Sequence, residues 1–432
     1  QSNYDLLLEE GRMKCDRNDG NDSLFPHIAC LPTDFGFSPA FQAVVAASFL
    51  LLIFASITGN LVVMWIIYSH KVMHHAFNFF LFNMALADLF IAVFNVGTSW
   101  TYNLYYDWWF GELCPLTLFF GVAPTCVSVF SMMALSWDRC QAVVDPLRRR
   151  PLSTRKAALR IGLIWLISSL MALPNALYST IVTGTFYVSD TGMIVQKRSC
   201  FMDIPRSFFG YEVPLDRWYD ETLLVLQYVL PLIVLTLTFG RIAYAFRLAD
   251  SADILRSTSQ RGVDPGKAKK KVVKMLALMV CVFMVCWCPY HLYHSFSYFI
   301  QSEALYIFIY WLAMAPCACN PLIYCYTNKR FRVGFRYVFR RLPCLEVNRR
   351  EYEESALFTN HGRSAYASCK MPGKPESCPT SLKRPVLSKV YTPTQSAVQC
   401  PETTSSFITS SSPPAASTTN GKPKLLEWKS LC

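Results

Sequence analysis

Three polar side chains inside long apolar segments are the first candidates for chemistry in this sequence. Asp88 is the single charged residue between positions 77 and 104, and Ser128 and Asn320 lie at comparable depth in two other apolar segments. A carboxylate in the middle of a bilayer costs about 2.5–3.5 kcal/mol on insertion scales, so Asp88 needs a hydrogen-bonding partner or a cation. The pattern predicts one of two arrangements: a structural polar cluster, or a small sodium site formed by Asp88, Ser128 and Asn320.

An ionic pair, Asp138 and Arg139, closes another apolar segment. No Asp, Glu, Lys, Arg or His occurs from Cys114 to Trp137. A helix from Cys114 to Arg139 would be about 37 Å long, and the hydrocarbon core of a bilayer is about 30 Å thick. We therefore expect a spanning helix with a cysteine at one membrane surface and the ionic pair at the other.

Seven apolar segments can carry these groups, and each has the roughly 20 residues that a spanning helix needs. Hydrophobic residues make up 53% of the chain and charged residues 16%, whereas soluble domains carry about 25% charge. The net charge of +12 lies in the loops, which argues against nucleic-acid binding. The predicted fold class is an all-α membrane protein, a seven-transmembrane helix bundle with segments at 35–69, 77–104, 114–139, 157–180, 219–246, 270–299 and 304–327.

Basic loops set the predicted orientation. Lys and Arg concentrate in the loop after the third segment and in the loop before the sixth, so these loops are predicted to be cytoplasmic and the N-terminus extracellular. The predicted organisation is an extracellular tail at 1–38, the bundle at 39–328, an amphipathic membrane-surface helix at 329–344 and a disordered, phosphorylatable cytoplasmic tail at 345–432. Asn21 begins a glycosylation sequon, and Cys344 is a predicted palmitoylation site.

Cysteines and prolines add constraints without indicating an enzyme. Cys15, Cys30, Cys114 and Cys200 fall on the predicted outer side, where four cysteines allow three connectivities. Pro289 and Pro321 lie inside the sixth and seventh segments, where proline kinks a helix and offers a hinge. The sequence has no Ser/His/Asp set, no phosphate loop, no HExxH and no second cysteine pair to complete a zinc site with Cys286 and Cys288.

Several motifs occur together in an order typical of one family. From about residue 40 to 344 the chain resembles a rhodopsin-like (class A) G-protein-coupled receptor, and within that class a tachykinin receptor. The class motifs are Gly59-Asn60, Leu86-Ala87-Asp88, Cys114, Asp138-Arg139, Trp165, Pro231, Trp287-Cys288-Pro289 and Asn320-Pro321 with Tyr324. The tachykinin-like segments are 62–67, 271–275, 311–314 and 330–335, together with Tyr178-Ser179-Thr180 closing the fourth span.

The resemblance implies a plasma-membrane receptor that couples the binding of an amidated neuropeptide to the activation of a heterotrimeric G protein. Arrestin and receptor kinases would act on the tail. It implies no cofactor, apart from the sodium ion that Asp88, Ser128 and Asn320 could hold. It favours the Cys114–Cys200 disulfide and leaves Cys15–Cys30 as a further pairing. The implied ligand-binding residues are Asn95, Tyr102, Asn175, Asp220, Glu221, Tyr290, His291, His294 and Tyr306. The implied activation residues are Asp88, Ser128, Asp138, Arg139, Trp287, Pro289, Asn320, Pro321 and Tyr324.

Several residues depart from the family pattern, and they bear on signalling and on the charge of the ligand. Cys140 and Phe239 stand where the family has tyrosines that support signalling, and Lys269 stands where an acid could hold Arg139 across to the sixth span. Asp220 and Glu221 at the outer end of the fifth span favour a cationic ligand end. We therefore expect a peptide whose amidated C-terminus carries Arg, as in invertebrate tachykinin-related peptides.

Other classes of protein fit less well. Gly121 occupies the position where amine receptors carry Asp, and Met314 the position where opsins carry Lys. A receptor for an RYamide- or RFamide-type neuropeptide remains the alternative. A transporter is disfavoured because the sequence shows no repeat of the kind that transporters are built from.

Overall fold

The computed structural model describes residues 28–31, 37–145, 152–188, 192–205, 207–208, 211–212, 215–255, 265–295, 302–341, 352–353 and 357. Within this part of the chain, seven helices are long and apolar enough to cross a membrane, as the sequence predicts. They are α1 (Pro39–Ser69), α2 (Ala76–Tyr105), α3 (Gly111–Val144), α4 (Thr154–Leu177), α5 (Leu215–Ala249), α6 (Lys270–Ser295) and α7 (Glu303–Thr327). A short helix, α8 (Lys329–Val338), follows α7.

The helices pack around a core of side chains that face the middle of the bundle, while other apolar side chains point outward. On α1, Phe49 and Ile66 are buried, whereas Leu51 and Phe54 are each 68% exposed. This double-sided hydrophobicity fits a bundle whose outer face meets lipid, because a spanning helix satisfies its own backbone and needs no polar surface there.

A glycine lets α1 and α7 approach closely. A Cβ atom at Gly59 would lie 2.9 Å from the Cβ of Pro321, which is closer than side chains normally approach. Small residues permit such contacts between spanning helices. Position 59 therefore needs glycine, and the packing holds α1 against the proline of α7.

A small sheet lies beside the ends of α3 and α4. Strands β2 (Ser179–Val188) and β3 (Met193–Met202) form an antiparallel hairpin, and β1 (Ile28–Leu31) runs parallel to β2. Two further short strands, β4 (Ser207–Phe208) and β5 (Tyr211–Glu212), pair with each other. The disulfide predicted from the resemblance, Cys114–Cys200, is present and ties β3 to the start of α3.

The fourth span is shorter than the prediction at its C-terminal end. The sequence analysis closed this span with Tyr178-Ser179-Thr180, but α4 ends at Leu177 and Ser179 already begins β2. The following residues, Ile181, Val182 and Thr183, are β-branched and favour strands. Pairing with β3 in register, Ile181 opposite Cys200, supplies the backbone hydrogen bonds that a helix would otherwise provide.

The short helix α8 starts with a side-chain cap, because Asn328 Oδ1 accepts from the backbone N–H of Arg330 at 3.0 Å. The guanidinium of Arg332 donates to the carbonyls of Cys325 and Tyr326 at the end of α7. The helix ends at Val338, whereas the prediction extended it to residue 344. Asn21, Cys15 and Cys344 lie outside the described residues.

Candidate functional site

A distortion of α2 places Asn95 in the bundle. Residues Ile91–Val96 form a π turn, and such turns recur at functional sites. The Asn95 carboxamide oxygen accepts from the hydroxyl of Tyr310 on α7 at 3.0 Å, and its nitrogen would lie 2.9 Å from a Cβ atom at Gly121. An aspartate at position 121 would therefore collide with Asn95.

Tyr102 lies farther along α2, where it packs against a small buried cluster of Trp108, Cys114 and Cys200. The disulfide thus supports one of the predicted ligand-binding residues as well as the hairpin. Trp108 joins the same structure by hydrogen bonds, because its backbone N–H donates to the Arg198 carbonyl at 2.8 Å.

Aromatic and imidazole rings from α6 and α7 pack together in an aromatic cluster, the candidate ligand pocket. The rings of Tyr290 and His294 lie 4.4 Å apart, and those of Trp287 and His291 lie 5.7 Å apart. The ring centroid of Tyr306 on α7 lies 6.0 Å from that of His294. The structure therefore brings Tyr290, His291, His294 and Tyr306 together, next to Trp287.

His291 carries the unsatisfied polar atom of this cluster. Its ring lies 4.7 Å from that of Tyr228, which stands on a second π turn at Val225–Val229. The Nε2 atom of His291 is buried and has no hydrogen-bond partner among the described residues. Because buried polar atoms normally have partners, this nitrogen is available to a ligand.

The described hydrogen bond of Asn175 goes to a residue outside this aromatic cluster. Asn175 is 7% exposed, and its amide donates to the hydroxyl of Tyr219 at 2.5 Å, which itself donates to the Met171 carbonyl. The described contacts of Asn175 therefore link α4 to α5. They account for its burial without a ligand.

The two acids near the N-terminal end of α5 differ in their contacts. Glu221 Oε1 is 3.1 Å from Arg217 Nε, and the two side chains are 62% and 78% exposed. Asp220 has no salt-bridge partner among the described residues. Asp220 is therefore the acid of this pair that is not already held by a neighbouring cation in the part of the chain that the structure describes, whereas Glu221 is.

One contact that the sequence analysis missed joins the residue after α2 to α7 and β3. Tyr106 has a left-handed backbone (φ 53°) after the last residue of α2. Its hydroxyl donates to Glu303 in the first turn of α7, and the Lys197 ammonium of β3 lies 5.7 Å from its ring centroid. Burial and the Glu303 carboxylate raise the pKa of Tyr106, and burial lowers the pKa of Lys197. No local sequence signal pairs these residues, because three separate elements supply them.

The polar cluster predicted around Asp88 is assembled in the structure. Asp88 is 2% exposed; its carboxylate accepts from the Asn320 amide at 2.9 Å and from the Ser128 hydroxyl at 3.5 Å. A small cavity adjoins the three side chains and is also lined by Trp287. The same tryptophan therefore contacts the candidate ligand pocket on one side and the polar cluster on the other.

At the other end of the bundle, Arg139 Nη2 donates to Asp138 Oδ2 at 2.6 Å. The Arg139 guanidinium also lies 4.9 Å from the ring centroid of Phe77. Cys140 is fully buried in a cluster with Ile242 of α5 and Val273 of α6. At the position where the family pattern has a tyrosine, the Cys140 side chain therefore contributes apolar packing between α3, α5 and α6.

Tyr324 completes the activation residues. Its side chain is fully buried and packs on Phe331 of α8, with ring centroids 5.6 Å apart. Pro289 and Pro321 lie inside α6 and α7, and both helices continue through them.

Residues 59–324 match the family model described as 7 transmembrane receptor (rhodopsin family). The chain belongs to this receptor family. It is 47% identical over 385 residues to a probable G-protein coupled receptor, tkr-1, from Caenorhabditis elegans, covering 87% of this chain and 91% of the relative. It is 34% identical to the substance-P receptor of Meriones unguiculatus (77% of this chain, 80% of the relative) and 33% identical to the human neuromedin-K receptor (73% and 66%).

These relatives confirm the rhodopsin-family and tachykinin-receptor resemblance found in the sequence. Members of this family are receptors and not enzymes. Seven spanning helices in a family of this kind make the chain a multi-pass plasma-membrane receptor.

Proposed function

We propose that this rhodopsin-family receptor binds a tachykinin-like amidated neuropeptide whose C-terminal residue is Arg. The observation that carries the proposal is the buried Nε2 of His291 inside the aromatic cluster, which has no hydrogen-bond partner among the described residues. A C-terminal amide offers both donors and an acceptor, so it can satisfy this nitrogen. Rings on α6 and α7 then cover the apolar part of the peptide.

Asp220 supports the choice of a cationic end residue. Its side chain is exposed in the first turns of α5 and has no salt-bridge partner among the described residues. An Arg side chain presents a planar fork of donors that matches a carboxylate. A peptide whose amide reaches His291 can extend such a side chain toward Asp220.

The proposed mechanism is a population shift. The N-terminus is proposed to lie outside and the C-terminus inside, so the peptide arrives on the side of the aromatic cluster. The agonist favours a state in which α6 moves away from the Cys140–Ile242–Val273 packing and exposes Arg139 to a heterotrimeric G protein. It can shift the equilibrium only by its differential affinity for the two states, and G protein reciprocally tightens agonist binding. Arrestin and receptor kinases are proposed partners of the Ser/Thr-rich tail.

We also propose sodium as an allosteric ligand at Asp88. The oxygens of Asp88 and Ser128 suit a hard cation, and the buried carboxylate needs compensation. Asn320 now donates its amide nitrogen to Asp88, so it fits as a ligand only with its amide group reversed. The competing arrangement is the hydrogen-bonded cluster itself, without an ion.

The test is calcium release in cells that express the chain, using amidated peptides that end in Arg or in Met. A sub-micromolar response to the Arg-ended peptide, lost in Arg139→Ala at unchanged surface expression, is the expected result. Silence to every tachykinin, with a response to an RYamide or RFamide peptide, would keep the receptor class and replace the ligand class. Substrate uptake without G-protein activation would overturn the receptor mechanism.

A further inference from the structure

A short part of the chain beyond α8 returns to the bundle. Tyr352 is 6% exposed and Leu357 is 2% exposed, and both belong to the main buried core. The ring of Tyr352 stacks on Tyr337 of α8, with centroids 3.6 Å apart and planes 7° apart. Its hydroxyl lies 2.7 Å from Nε2 of His70, in the loop between α1 and α2. One phenol therefore joins α8 to this loop.

The hydrogen bond to His70 has a defined direction. Nδ1 of His70 lies 2.8 Å from the carbonyl oxygen of Ile66, which can only accept. In the neutral ring Nδ1 therefore carries the proton and Nε2 is the acceptor. It follows that Tyr352 donates its O–H proton to His70, so the contact as it stands needs an unmodified phenol.

Ordinary changes of pH do not release this contact. Burial, with a smaller contribution from Tyr337, raises the pKa of Tyr352 to about 12. Protonation of His70 also leaves a hydrogen bond, because the phenol oxygen can accept from a protonated ring. Only a change to the phenol oxygen itself removes the donor.

We propose that Tyr352 is a phosphorylation site and that a phosphate on its oxygen holds this side chain away from His70 and Tyr337. In the sequence Tyr352 is flanked by acids, Glu351, Glu353 and Glu354. Its contact with His70 places it at the end of the bundle where the loop between α1 and α2 lies, and by the order of the spans the basic loops are at the same end. A tyrosine kinase would transfer the γ-phosphoryl group of ATP. The bond from the γ-phosphorus to its bridging oxygen breaks, the bond to Tyr352 Oη forms, ADP leaves and the phenol proton passes to the kinase.

The docked geometry cannot accept this product. The phosphate replaces the proton that His70 accepts and adds a charge of about −1.5 to −2. It also needs room at an oxygen that touches His70 in a side chain that is 6% exposed. Docking and phosphorylation therefore exclude each other: the contact shields the phenol from a kinase, and the phosphate then prevents its return. This inference does not depend on the identity of the peptide ligand.

The test uses the full chain in lipid nanodiscs, with ATP and a soluble tyrosine kinase domain that phosphorylates a synthetic peptide of residues 347–357. Mass spectrometry follows Tyr352 and, as an internal reference, Tyr366 in the same tail. His70→Ala removes the acceptor, so phosphorylation of Tyr352 should become roughly 3- to 10-fold faster, the effect of one lost hydrogen bond. The rate at Tyr366 should not change. Tyr337→Leu removes the stacking partner and provides the same comparison if His70→Ala does not reach the surface.

Release is measured separately by hydrogen exchange. After phosphorylation, the backbone amides of Tyr352, Glu353 and Leu357 should exchange faster, while Tyr352→Phe treated in the same way should keep its initial pattern. Four results would overturn the proposal. The first two are that no kinase phosphorylates the peptide, or that Tyr352 carries no phosphate in any variant although Tyr366 is modified. The other two are that Tyr352 is phosphorylated equally fast in the wild type and in both variants, or that hydrogen exchange is unchanged in the phosphorylated receptor.

Discussion

Comparing the substitutions Asp220→Asn and Glu221→Gln tests the proposed ligand chemistry most directly. The two acids are adjacent in sequence, yet Glu221 is already paired with Arg217 and its side chain is 62% exposed. Asp220 has no such partner among the described residues. We expect Asp220→Asn to weaken an Arg-ended peptide strongly and Glu221→Gln to weaken it little.

The magnitudes follow from the two environments. A hydrogen bond to a charged group contributes about 1.5–3 kcal/mol. Because the Asp220 side chain is exposed, the lower figure applies, which is roughly a tenfold loss of potency. An exposed pair such as Arg217–Glu221 contributes about 0.2–1 kcal/mol, so Glu221→Gln should change potency by less than about fivefold.

The assay is a calcium dose–response with two peptides that differ only in a final Arg-amide or Met-amide, at matched surface expression. Asp220→Asn should reduce potency for the Arg-ended peptide and leave that for the Met-ended peptide within about twofold, since no charge pair is lost there. Equal losses for both peptides would refute a direct contact between Asp220 and the Arg side chain. A loss in Glu221→Gln as large as that in Asp220→Asn would refute the assignment to Asp220.

Three further predictions concern the bundle. Gly59→Ala should lower the apparent melting temperature in detergent by about 3–8 °C, because overpacking against Pro321 costs roughly 1–3 kcal/mol. Gly162→Ala is the matched control, since nothing lies within 4 Å of the new methyl group there, and its melting temperature should stay near that of the wild type. Sodium chloride should weaken agonist binding relative to choline chloride at equal ionic strength, and Asp88→Asn should abolish the difference; identical salt responses in both proteins would leave the polar cluster as a structural one. Cys200→Ser should remove peptide binding and reduce surface expression, since loss of a native disulfide costs about 2–5 kcal/mol; radioligand binding that survives at wild-type affinity would contradict a role for the disulfide in supporting Tyr102.

The shape of the membrane-embedded part was predictable from local pattern. Uncharged segments of sufficient length require helices, because a bilayer offers the backbone no other hydrogen-bonding partner. The deviations occur where that constraint ends. The span that was extended to Thr180 stops at Leu177, because in the loop beyond it the β-branched residues after Ser179 pair with β3.

The composition and motif order of the sequence by themselves determined the receptor class, the seven spans, the Asp88 cluster and the Cys114–Cys200 disulfide, the last through the family resemblance. These features depend on residue type and spacing, which the chain displays directly. Only the tertiary structure showed that Glu221, and not Asp220, pairs with Arg217 among the described residues. It also showed the hydrogen bonds between Tyr106 and Glu303 and between Tyr352 and His70. Both of these hydrogen bonds depend on side chains from separate elements meeting in space, and a one-dimensional pattern has no period or spacing that records such a meeting.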